Sequence, residues 1–198
     1  MTNSQFVRSF AMLGIIGFVV TVASVIINIV TDSTSLVGNY LNMFGLIFVV
    51  FGVMAAYLSQ KEDLGVFGFV SFVIVLIGFI WSISIVAVHS FAFSVINDLG
   101  PSMKINELIS TEMPSPIKEA LITSSIVGAV GSLLFGLVIS FKGTIMRWPG
   151  LLLILAAVGS ALEFVDQLFS FLGFILSLIA VLWMSIKVWT QGIRLKQS

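Results

Sequence analysis

The sequence predicts an all-α fold, a polytopic membrane bundle of six transmembrane helices, on three observations. Of 198 residues, 59% are hydrophobic and 9% are charged, whereas soluble domains carry about a quarter charged residues. Apolar runs of roughly 20 residues, the length that carries a helix across a ~30 Å hydrocarbon core, follow one another along the whole chain. Between them the basic residues sort to alternate connections, as the positive-inside rule requires of a multi-pass protein. Spans this long use up the length, so one integral membrane domain over 1–198 is expected.

The first span covers 6–30 and is closed by the polar run Thr31-Asp32-Ser33-Thr34-Ser35. It exceeds the roughly 7–15 residues of a signal-peptide core and lacks a small-x-small cleavage site, so it is expected to remain as a helix. The second covers 36–59, and Gln60-Lys61-Glu62-Asp63 reads as a tight charged turn. The third covers 64–90, opening with Gly65 and Gly68, which read as helix-packing glycines. Residues 97–118 form the long outer connection, with Gly100-Pro101, Pro114 and Pro116 as breakers and a short amphipathic helix expected over 103–109. The fourth, fifth and sixth spans cover 121–140, 148–166 and 168–189.

Orientation follows from lysine and arginine. With the N-terminus inside, Arg8, Lys61, Lys142, Arg147, Lys187, Arg194 and Lys196 are cytoplasmic, and Lys104 and Lys118 are outside. The expectation is a cell-membrane protein with both termini cytoplasmic. Tyr57, Trp148 and Trp189 then fall at inner boundaries and Tyr40 at an outer one, as interfacial aromatics do. The acidic residues sort the other way, giving the outer side an acidic character.

The fourth span, LITSSIVGAVGSLLFGLVIS over 121–140, is the most informative. Ser124, Gly128, Ser132, Gly136 and Ser140 recur every four residues and stack into one strip on a helix. In lipid, helices associate through close backbone approach, which small residues at this spacing permit. The strip reads as a packing face toward another helix of the chain or toward a second copy. A weak internal repeat also shows. Spans one and two share with five and six an outer acidic turn, an aromatic-glycine cluster (Met43-Phe44-Gly45-Leu46-Ile47 against Phe171-Leu172-Gly173-Phe174-Ile175) and a closing lysine, Lys61 or Lys187.

Candidates for chemistry are few. The net charge is zero and no basic tract exists, so nucleic acid has nothing to grip. Without cysteine there is neither a thiol nucleophile nor a thiolate metal site. The sole histidine, His89, falls near the outer interface, where it could ligate a haem or pigment from one side or serve as a hydrogen-bonded polar residue. No catalytic motif with a serine nucleophile and a base is present, and no cofactor or metal is expected. Glu163 and Asp166 are the one carboxylate pair within a span. They read either as a solvated hairpin, with Asp166 at the start of the last helix, or, together with Asp32, as an outer vestibule binding a cation or proton.

The stretches Met146-Arg147-Trp148-Pro149-Gly150, running on through apolar residues to Gly159, and Leu182-Trp183-Met184-Ser185-Ile186-Lys187 resemble those of small prokaryotic multi-span membrane proteins catalogued only as a domain of unknown function. The resemblance covers about the last fifty residues, with arginine and proline in a different order here. It implies a bundle of six or seven spans and no activity.

The leading functional expectation is a non-catalytic component, either an accessory subunit of a membrane complex or a small homo-oligomer. Its surroundings would be the lipid bilayer and another membrane protein or a second copy. A small transporter or channel comes second, and an enzyme or cofactor carrier centred on His89 third.

Overall fold

The computed structural model describes residues 3–31, 35–88, 91, 117–162 and 166–191. Among these, the regular elements are five α-helices: α1 (Asn3–Val30), α2 (Leu36–Ala87), α3 (Ile117–Lys142), α4 (Arg147–Ala161) and α5 (Gln167–Gln191). Helices α1, α2, α3 and α5 are long and apolar enough to cross a membrane. Helix α4, with 15 residues, is about 22 Å long at ~1.5 Å per residue, shorter than a ~30 Å core. It ends before the expected boundary at 166. The other ends fall within a few residues of the expected spans, and the connection 97–116 lies outside the described residues.

Helix α2 departs most from expectation. Its 52 residues would measure about 78 Å if straight. Instead Tyr57 stacks on Phe72, with ring centroids 4.3 Å apart and planes 9° from parallel, and Tyr40 lies 4.6 Å from Phe91. Along a straight helix the first pair alone would be about 22 Å apart, so α2 is folded back on itself. The reversal is made at Gly65, with φ 58° and ψ −156°, a backbone conformation that costs glycine little because it has no Cβ. Nothing lies within 4 Å of the place a Cβ would take. Gly65 is therefore a hinge and not a packing glycine. The tight turn expected over 60–63 is helical through Leu64, because the exposed Lys61, Glu62 and Asp63 reach water as well from a last helical turn. A first arm over 36–64 and a second over 66–87 result.

In sequence order each helix packs on the next, and α5 returns to touch both α1 and α2. The contacts are made by backbone. A Cβ on Gly14 would fall 2.5 Å from Gly52 Cα, one on Gly17 2.5 Å from Val49 N, one on Gly78 2.7 Å from Gly128 Cα, and one on Gly131 2.7 Å from Val75 Cα. Gly136 meets Gly150 O at 2.8 Å and Gly159 meets Gly173 Cα at 3.0 Å in the same way. Large apolar residues such as Val19, Ile29, Val30, Val66 and Phe67 point outward. Small residues inside and bulky apolar ones outside is the arrangement of a bundle that packs in lipid. Gly45 and Gly173, equivalent in the two aromatic-glycine clusters, both face the preceding helix.

The bundle is filled unevenly. Toward the Gly65 end, Leu64, Phe135, Ile139, Met146, Leu153 and Met184 are fully buried. There the turn 143–146 is clamped on both sides of one residue, Ile145. Ile145 N donates to Gln60 Oε1 at 3.2 Å, and Lys187 Nζ donates to Ile145 O at 2.8 Å. A longer contact joins Thr144 Oγ1 to Asp63 Oδ2 at 3.4 Å, and Lys142 Nζ sits 5.2 Å from the Phe67 ring centroid. The bonds to Ile145 tie the first arm of α2 and helix α5 to the α3–α4 turn.

Two predictions follow from this packing. Gly131→Ala puts a methyl into the Val75 backbone and lowers stability by about 1–3 kcal/mol, as overpacking does, whereas Gly128→Ala, with open space at its Cβ, is neutral or stabilising by up to ~1 kcal/mol. Thermal unfolding in mild detergent measures both, and equal losses would contradict the packing described. Gln60→Leu leaves the Ile145 N–H unpaired in a part-buried turn and costs about 1–3 kcal/mol. Lys187→Met costs less by the same measurement, because Lys187 is only half-buried and its carbonyl partner can find water.

Candidate functional site

On the side of the bundle away from Gly65, the second arm of α2 and helices α3, α4 and α5 enclose a partly open cavity of about 190 Å³. Each contributes one face, because its lining residues are spaced three or four apart. Val75, Gly78, Phe79 and Ser82 come from α2, and Ser124, Ser125, Gly128, Ala129 and Ser132 from α3. Helix α4 supplies Ala156, Ala157 and Ser160, and α5 supplies Ser170, Gly173, Phe174 and Ser177. The cavity exists because side chains this small cannot fill the space between four helices whose backbones already touch at Gly78–Gly128 and Gly159–Gly173.

Seven of the lining residues are serines, and among the described residues of the lining none is charged. Several serines elsewhere in the helices bond back to their own backbone, Ser24 to Thr21 O, Ser59 to Ala56 O, Ser71 to Gly68 O and Ser84 to Ile80 O, whereas among the described residues the buried Ser185 hydroxyl has no partner. In the cavity Ser124 also bonds back, donating to Leu121 O at 2.9 Å. Among the described residues, the hydroxyls of Ser82, Ser125, Ser132, Ser160, Ser170 and Ser177 have no such protein partner. All six residues are half-buried and their hydroxyls are not sealed from the cavity, so water or a hydrogen-bonding guest can reach them there. Each can both donate and accept.

The strip expected on the fourth span divides between two roles. Gly136 and Ser140 lie against α4: Gly150 O is beside the first, and the Ser140 hydroxyl donates to Arg147 O at 3.3 Å. Ser124, Gly128 and Ser132 line the cavity. Gly128 does both jobs, with its Cα against Gly78 while its own Cβ direction is open. Asp166 is exposed and caps α5, its Oδ1 accepting from Leu168 N at 2.8 Å, which satisfies a helix N–H that has no partner within the helix. Glu163, Asp32 and His89 lie outside the described residues. Among the described residues no group of three or more His, Asp or Glu stands close enough to hold a metal ion.

Ser82, Ser125, Ser160, Ser170 and Ser177 are the site residues that sequence reading passed over. The available signal was a run of small residues at three- and four-residue spacing in four separate spans, and only α3 carried it strongly enough to be noticed. No family model matches the sequence, and no curated protein or solved structure is significantly similar to it.

Proposed function

We propose that the chain is a non-catalytic membrane protein of the transporter or channel class that binds a small solute in the serine-lined cavity. The convergence of seven serines from four helical segments on one cavity carries this reading. Polar groups from several spans meeting at one depth are what a solute site in a membrane needs and what a purely structural bundle avoids. The small strip of α3, which in the sequence pointed to docking of a partner or second copy, is used inside the chain against α4 and the cavity. That favours transport over an accessory role. A non-catalytic role is supported by the site's chemistry, since among the described residues its serines have no basic side chain beside them.

Six crossings with both termini cytoplasmic form part of the same proposal. The two arms of α2 supply two crossings, and α4 crosses with its short length offset by local bilayer thinning. Lys61, Lys142, Arg147 and Lys187 outnumber Glu62 and Asp63 around the Gly65 hinge and the 143–146 turn, so that end of the bundle carries a net positive charge. The cavity lies in the other half, which makes it an outer-leaflet site closed toward the cytoplasm by the packed residues around Ile145.

A single cysteine at Ser198 is expected to react with an impermeant thiol reagent only after the membrane is opened, and one at Ser102 in intact cells. Labelling of Ser198 from outside overturns the orientation. Reconstituted in liposomes, the protein is expected to speed the passage of at least one labelled small solute, and Ser132→Leu, which fills the cavity, to abolish the gain. A panel of neutral, cationic and anionic solutes that all cross at the protein-free rate overturns the transport reading.

A further inference from the structure

We infer that the cavity selects small, uncharged, hydrogen-bonding solutes, of the polyol or urea type, over ions of similar size. This rests on the reading of the cavity as a solute site and adds the chemical class. Among the described residues, the lining offers hydroxyls from four directions and no formal charge of either sign. An ion entering it would leave its water shell for neutral dipoles with no counter-charge, a loss that neutral groups repay poorly. A neutral solute with several hydroxyl or amide groups loses only hydrogen bonds that the serines can return, since each hydroxyl donates or accepts as required.

Shape narrows the class further. The cavity, about 190 Å³, is smaller than the roughly 300–1,000 Å³ of sites for drug-sized ligands, which suits a small solute. Phe79 and Phe174 form apolar walls between the hydroxyls. They match the carbon backbone of a short polyol and give a hydrated ion nothing in exchange for its water. A guest without polar groups would displace water from these hydroxyls and return no hydrogen bonds, so alkanes and small alcohols with a single polar group fit less well.

Gly128 supplies a clean test, because its Cβ direction meets nothing within 4 Å and a side chain there enters the cavity without striking backbone. The full chain is reconstituted in phosphatidylcholine liposomes, and the entry of glycerol, choline and lactate is followed by light scattering. Glycerol is expected to equilibrate faster than in protein-free vesicles, choline and lactate are not, and Gly128→Leu is expected to remove the glycerol gain with its unfolding temperature unchanged. Ser132→Ala and Ser177→Ala are each expected to raise the half-saturating glycerol concentration about fivefold, the value of one neutral hydrogen bond. Choline or lactate entering as fast as glycerol, both blocked by Gly128→Leu, overturns the solute class while leaving transport in place. Glycerol retained at equilibrium dialysis by the wild type but not by Gly128→Leu, with no flux, overturns transport while leaving the class. Glycerol neither crossing nor retained overturns the inference.

Discussion

Close approach of helix backbones is the constraint on which the bundle depends. Surrounded by lipid tails, apolar side chains gain little by turning inward, so association rests on dispersion contacts and on backbones brought near enough to make them. At Gly14–Gly52, Gly78–Gly128, Gly136–Gly150 and Gly159–Gly173 two glycines from different helices meet. These pairs lie along four of the helix contacts that run from α1 through both arms of α2 and then α3, α4 and α5. A methyl group at any of these glycines except Gly128, whose Cβ direction is open, would press on the facing helix, and the next contact in the sequence would have to accommodate the shift.

The same constraint produces the division of the interior. Glycine and serine let backbones touch but leave little side-chain volume to fill what lies between them. Toward the Gly65 end the shortfall is met by Phe135, Ile139, Met146 and Met184, all fully buried, and by the clamp on Ile145. Toward the other end the lining residues are serine, alanine and glycine with one valine and two phenylalanines, and a cavity remains. The half of the bundle that is closed is thus the half with bulky side chains and a fixed turn. The open half carries the hydroxyls.

Much of the helical architecture was legible beforehand. The ends of α1, α3 and α5 fall near the spans read from apolar runs, because a run of that length has no alternative in lipid but to satisfy its backbone as a helix. Asp166 was legible as a cap, since an acid one residue before an apolar run is the usual way to satisfy a helix N-terminus. The Gly65 reversal was half legible. The charged residues 60–63 marked the place, yet which residue turns depends on which can take a positive φ, and that turned the expected packing glycine into the hinge. Ser82, Ser125, Ser160, Ser170 and Ser177 were not legible as a group, because serine is common in membrane helices and nothing in one span tells which serine will face the same space as another.

By itself the sequence determined composition, helical segments, the basic and acidic connections and the four-residue strip on α3, all of which follow from local periodicity and the length needed to cross a bilayer. The tertiary structure alone decided that α2 folds into two arms at one glycine, that the strip serves α4 and a cavity inside the chain, and that serines from four segments share one space. The physical reason is that periodicity fixes which residues share a face of one helix. Which faces meet depends on where backbones can approach, and that is a property of pairs such as Gly78 and Gly128, fifty residues apart in the chain.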